Sequence, residues 1–206
     1  MNIRNIFRNK RPIIAIVVVI IIFASSNSLC AQEVSGTLNG RDYVDLGLSV
    51  KWATCNVGAS KPSDYGNYYA WGETSTKSTY TEENSKTHGN SSYNYDIGGN
   101  ITTDVARANW SGTWRLPTEA EVRELADKCT WTWTTQDGHS GYKVTGPNGD
   151  SIFLPAAGIG GYGRYWTSTP YENNALRANY LYFYSSFRLV VWTGRYLGLS
   201  VRPVTK

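Results

Sequence analysis

The chain has 206 residues and a formal net charge of +4, from 20 Lys and Arg against 16 Asp and Glu. Four of the basic residues (Arg4, Arg8, Lys10 and Arg11) fall in the first 31 positions, which hold no acid, so the remaining 175 residues carry 16 of each sign. That balance excludes an electrostatic nucleic-acid binder, which needs surplus Lys and Arg to displace counterions. The 26 Trp, Tyr and Phe among those 175 residues exclude a disordered chain, because they can bury enough apolar surface to offset ordering entropy.

The basic stretch is followed by an apolar run over 12–24, PIIAIVVVIIIFA. A membrane-spanning helix needs about 20 such residues. The run is short for that and suits the hydrophobic region of a secretory signal peptide. Ser28-Leu29-Cys30-Ala31 follows, so cleavage after Ala31 is expected, with Gln32 as the first mature residue. Lipidation at Cys30 and an uncleaved anchor are the alternatives, and Leu29 stands where a lipoprotein wants a small residue. The protein is therefore expected to be exported, to the periplasm, the outer surface or the medium. Membrane association is expected only through export or anchoring.

Residues 32–40 read as a short polar lead-in, and 41–206 as a single domain. Strands are expected at 43–46 and 50–54, around a bend at Gly47. Residues 68–71 (YYAW) form a short aromatic strand or a buried crossing. Residues 74–103 are rich in Ser, Thr, Asn and Gly and nearly free of aliphatics, which predicts an insertion or a functional flap. Asp104 can cap a short helix through Val105, Ala106 and Ala108.

A second helix begins after Thr118. Thr118 and Glu121 form a capping box, and Glu119, Glu121 and Lys128 complement the helix dipole. Val122, Leu125, Ala126 and Cys129 repeat at helical spacing and mark the core-facing stripe. Strands are expected at 130–134, 142–145 and 151–154, the last two joined by a Gly146-Pro147-Asn148-Gly149 hairpin. A glycine-rich loop at 156–164 leads to strands at 165–168, 178–184, 189–193 and 199–204. The fold class is α+β.

The WRLPTEAE run at 114–121 resembles the start of a helix in formylglycine-generating and sulfatase-modifying-factor domains, which have a C-type-lectin-like fold. YVDLGLSVKWATCNVGA (43–59), YYAWGE (68–73), WRLPTEAEVREL (114–125), KVTGPNGDSIFLPAAG (143–158), YWTST (165–169) and GLSVRPV (198–204) together resemble the Fibrobacter succinogenes major paralogous domain family of secreted proteins. The resemblance spans almost the whole mature chain. It implies a C-type-lectin-like fold: two helices, short antiparallel sheets and long loops. The N-terminal strands then pair with the C-terminal strand near Val201, and the long loops gather at one end. It implies no particular activity, since the fold hosts sugar binders, protein binders and an enzyme.

No catalytic constellation emerges, and a non-enzymatic protein is expected. The formylglycine-generating reaction uses cysteines late in the domain, and none follows Cys129. His88 and His139, the only histidines, lie among Gly, Ser and Thr and are expected in exposed loops. They supply neither a base for a hydrolytic triad nor a zinc site. The Glu-Pro-Asn and Trp-Asn-Asp motifs of calcium-dependent lectins are missing, and Glu172 is the sole acid after Ser151. No metal and no cofactor is expected. Cys55 and Cys129 form an even pair once the leader is removed, which predicts a bridge closing a loop of about 74 residues, worth about 4 kcal/mol. Two buried free thiols are the alternative.

The segment 162–196 holds 11 aromatics in 35 residues, interleaved with Asn, Ser and four arginines. Alternation in Asn179-Tyr-Leu-Tyr-Phe-Tyr184 sends Leu181 and Phe183 inward and leaves a row of tyrosines outside. Such a mixture of rigid rings and adaptable hydrogen bonders resembles a paratope and also suits the C–H faces of glycans. The expected ligand face comprises Tyr165, Tyr171, Asn173, Asn174, Arg177, Tyr182, Tyr184, Arg188, Trp192 and Arg195. The expected ligand is a glycan or a surface protein. The alternative is a structural surface or adhesin subunit that packs this face against another chain.

Overall fold

The computed structural model describes residues 33–206 except Ile159 and Asn173. The signal-peptide reading and Asn173 lie outside the described residues. Among the described residues the architecture is α+β and mostly β, with two α-helices and ten strands in three small antiparallel sheets.

The first sheet has the order β1-β2-β3-β10, with β1 Gly36–Leu38, β2 Arg41–Val44, β3 Lys51–Ala53 and β10 Val204–Thr205. Val204 faces Trp52 across the β3–β10 pair, so the two ends of the domain close on each other. Backbone bonds from Ala53 to Pro203 and from Val57 to Val201 extend this seam. The lead-in is not irregular: Asn39 and Gly40, at φ 49° and 71°, turn β1 into β2. Asn-Gly tolerates the two positive φ angles that a tight hairpin requires.

Helix α1 covers Val105–Trp110, and Asp104 caps it by accepting from the amides of Ala106 and Arg107. The second Asp104 oxygen accepts from the amides of Gly99 and Leu116. One buried carboxylate thus binds the end of the 74–103 segment to the approach of α2. Burial pushes the Asp104 carboxyl up, and the four amide donors oppose that shift. Helix α2 covers Glu119–Lys128 with the expected Thr118–Glu121 capping box, and buries Val122 and Leu125.

The second sheet is β4-β5-β6: Thr130–Gln136, His139–Thr145 and Ser151–Pro155. Asp137-Gly138, both at positive φ, makes its first hairpin. The Gly146–Asp150 turn makes the second. The third sheet is β7-β8-β9: Gly163–Pro170, Arg177–Tyr184 and Phe187–Gly194. Its β8 alternation follows the sequence reading, with Leu181 and Phe183 buried and Tyr184 exposed.

Two apolar clusters sit between these layers. One packs α2 (Val122, Leu125, Cys129) against Trp52, Val144, Leu154, Leu181 and Phe183. The other gathers Trp71, Trp114, Trp166, Ile97, Leu116 and Val201. Residues 68–71 are the buried crossing, joined to the chain end by a Tyr69–Leu199 bridge. Segment 74–103 is pinned rather than loose, because Thr87 and Ile97 are fully buried within it.

Two expectations are corrected. Cys55 and Cys129 are not bridged: both are free thiols. Cys129 ends α2 inside the first cluster, where burial pushes its thiol up to about 11, whereas Cys55 lies just after β3 on the wall of a surface cleft. The histidines are not in open loops. His88 has an 11%-exposed side chain against Tyr196, and His139 stands on β5, stacked on Tyr65, with its Nδ1 2.6 Å from the Ser63 carbonyl.

Leu125→Ala should cost roughly 2–5 kcal/mol, read from urea unfolding, because it opens a cavity between α2 and two sheets. A second prediction concerns acid. Burial pushes the Glu121 carboxyl up, but the Arg115 fork (2.5 and 2.8 Å) and the Thr118 amide outweigh it and hold the group below its ordinary 4.5. A lowered folded value gives stability that is complete above pH 4.5 and lost as pH falls through it. Urea midpoints from about pH 6 to about pH 2 should therefore fall on the acid side, and Glu121→Gln should remove that part of the dependence.

Candidate ligand-binding site

The expected ligand face does not form one surface. In β8–β9, Tyr182 pairs with Leu189 and Tyr180 with Val191, whereas Asn179 pairs with Trp192 and Phe183 with Arg188. Paired residues share a face. Tyr182 and Tyr184 therefore lie on the outer face, in an aromatic strip with Tyr162, Tyr180 and Phe187. Trp192 and Arg188 lie on the opposite face, the one that α2 covers. Arg188 is further separated, donating to the Ala126 carbonyl with its guanidinium 5.3 Å from the Trp131 ring.

Two expected residues are structural. Tyr165 is 3% exposed; it donates to the Pro155 carbonyl and accepts from Asn56 Nδ2, and burial raises its pKa strongly. Arg195 is fully buried. Its Nε donates to the Arg177 carbonyl, and its terminal nitrogens reach the carbonyls of Thr87, Asn90 and Asn174 and the Asn94 Oδ1. Five N–H donors thus meet five neutral acceptors. The guanidinium also lies 4.5 Å from the Trp71 ring centre, and burial pushes its pKa down to about 10.

Tyr171, Arg177 and Trp192 do come together. Residues 171–177 form a bracket closed by bonds from Tyr171 to Arg177, Asn174 to Tyr171 and Arg177 to Asn174. Asn174 is used inside it, its Oδ1 accepting from the Leu176 amide. The Arg177 guanidinium sits 3.7 Å from the Trp192 ring centre, and the Tyr171 ring is tilted against Trp192 at 5.3 Å. Trp192 remains 42% exposed.

These aromatics border a cleft of about 620 Å³ between the start of α2, the end of β9 and the 94–96 turn. Its polar wall was not anticipated. Glu119, the first residue of α2, donates its amide to Thr169 Oγ1. One Glu119 oxygen accepts from Arg123 at 2.6 and 2.8 Å, and the other accepts from Asn179 Nδ2 at 2.7 Å. Thr169 in turn donates to Asp96 Oδ2 at 3.0 Å. Tyr95 stands 43% exposed beside them. The signal in the sequence was Asn179 itself. It shares the inward parity of Leu181 and Phe183, and an amide on a buried face requires a polar neighbour.

A cleft of about 680 Å³ lies elsewhere, walled by Cys55, Thr134, Gln136 and Phe153 among others. It lacks exposed rings converging with polar groups, the combination that marks a ligand site. Among the described residues, no group of three or more His, Cys, Asp or Glu could hold a metal ion. No protein-family model, curated protein or solved structure matches the chain.

Because Arg195 holds the 87–94 turn to the 171–177 bracket, Arg195→Leu should cost more than about 3 kcal/mol by stranding several buried acceptors. Arg195→Lys should recover only part of that, since a point ammonium cannot reproduce the fork. Thermal unfolding of the two variants beside the parent checks this order.

Proposed function

We propose that the protein is an exported, non-enzymatic ligand-binding module that takes a glycan or a surface protein at the Trp192 cleft. The observation that carries this reading is the half-exposed Trp192. Its indole is held by Arg177 and Tyr171 at the mouth of a cleft with a polar wall. Rigid aromatic anchors set beside polar groups concentrate binding energy. A C-type-lectin-like arrangement and kinship with the Fibrobacter succinogenes major paralogous domain family belong to the same proposal. The β3–β10 closure and the meeting of 87–94 with 171–177, through a Gly89–Ala175 bond and Arg195, support it.

A second reading rests on the outer face of β7-β8-β9. Tyr184, Phe187 and Leu189 are 36–45% exposed there, which suits a structural subunit packing on another chain. Concentration-dependent sizing separates the two: an oligomer that occludes these residues supports the subunit reading.

Trp192→Ala and Tyr171→Ala should each weaken hits on glycan and surface-protein arrays by about tenfold or more. Because Trp192 is 42% exposed, its truncation should cost less than the roughly 3–5 kcal/mol of a core tryptophan, and circular dichroism of the variant checks its fold before the assay. Undiminished binding by a folded Trp192→Ala variant overturns this choice of site.

A further inference from the structure

Asn179 is 7% exposed and lines the Trp192 cleft. Its Nδ2 donates to Glu119 Oε2 at 2.7 Å and to the Pro170 carbonyl at 3.2 Å. Two acceptors around one end fix that end as the nitrogen. The other end, the Oδ1 carbonyl, has no hydrogen-bond partner among the described residues. An amide oxygen that the protein leaves without a donor and that opens to a cleft is an acceptor on which a ligand hydroxyl can replace solvent. Glu119 Oε2 and Asp96 carry further lone pairs beside it, while the Thr169 hydroxyl is already spent on Asp96. At Asn179, Glu119 and Asp96 the wall therefore offers acceptors and asks the ligand for donors.

Two of the seats a cation would use, Glu119 Oε1 and one face of Trp192, are already occupied. Arg123 binds Glu119 Oε1 through two nitrogens, and the Arg177 guanidinium lies over Trp192. An anion would meet Asp96, Glu119 and Glu172; among the described residues Arg123 is the cation lining the cleft and is spent on Glu119, while Arg177 stands at its mouth over Trp192. What remains is a pair of neighbouring acceptors facing aromatic rings. Hydroxyl donors on a ring with an apolar C–H face match that combination.

We propose that the cleft binds a neutral, hydroxyl-rich sugar residue. Asn179 Oδ1 and Glu119 Oε2 accept from its hydroxyls, and Trp192 and Tyr171 cover its C–H face. The assignment rests on the ligand-binding reading above and names the chemistry of that same site.

The purified protein is titrated by affinity electrophoresis with a neutral β-glucan, mannan and xylan, with polygalacturonate, and with a lysine-rich peptide. At least one neutral polymer should bind, and polygalacturonate and the peptide should each bind about tenfold more weakly or worse. Trp192→Ala and Asn179→Ala should weaken neutral binding by about tenfold, and Leu189→Ala, on the outer sheet face, should leave it unchanged. Glu119→Gln supplies a test that does not depend on the folding of the Asn179 variant. By removing the charge it should narrow the preference for neutral over acidic polymer, whereas Trp192→Ala lowers both together. Tighter binding of polygalacturonate or the peptide, lost in Trp192→Ala, overturns the sugar chemistry and leaves the cleft standing. Neutral binding that survives Trp192→Ala in folded protein overturns the cleft reading as well. Absence of binding to all three neutral polymers overturns the sugar proposal.

Discussion

The geometry of the cleft depends on the buried Arg195 guanidinium. Among the described residues it meets no acid; five neutral oxygens and the Trp71 ring surround it. Taking such a charge out of water is expensive, and the same burial pushes its pKa down to about 10. The return is positional. One planar fork binds the 87–94 turn, the 171–177 bracket and the crossing at Trp71, three segments that share no strand ladder. Tyr171 and Tyr95 are consequently presented by otherwise irregular chain with the definition of a sheet, beside Trp192, which the β8–β9 ladder itself fixes.

The opposite wall is organised from the first turn of α2. Thr118 and Glu121 cap the helix, and Arg115 clamps Glu121 from the preceding strand-like approach. Asp104 ties that approach to Gly99 and to α1 through four amides. Glu119 therefore emerges from a fixed helix start, and its two oxygens divide between Arg123 and Asn179. A residue suited to the helix dipole also becomes part of a polar wall because β8 delivers an amide to it.

Much of the local structure was legible. The capping box, the Val122–Leu125 stripe, the Asp104 cap and the Leu181–Phe183 alternation each depend on residues within a turn or a strand of one another, where spacing determines geometry. The β1–β2 hairpin was missed, because the polar composition of 32–40 reads as a lead-in, although Asn39-Gly40 carries a turn signal. The disulfide shows the limit of counting: two cysteines in one chain say nothing of separation, and here one ends a core helix while the other lines a surface cleft.

The sequence by itself determined both helices and most of the strands, though not β1 or the shortness of β10 (Val204–Thr205 within the expected 199–204), and that aromatic residues with Asn and Arg crowd the C-terminal third. It could not determine sidedness across strands. Tyr184 and Trp192 look alike in composition, yet the β8–β9 register sends one to the outer face and the other to the cleft, because a single-residue step in pairing reverses a side chain's face. Nor could it separate Arg177 from Arg195. Both are arginines beside the same bracket, and only the packing of a distant turn from 87–94 buries one and leaves the other over the exposed face of Trp192. Long-range contacts of that kind have no periodicity to read, so the site's polar wall was decided by tertiary structure alone.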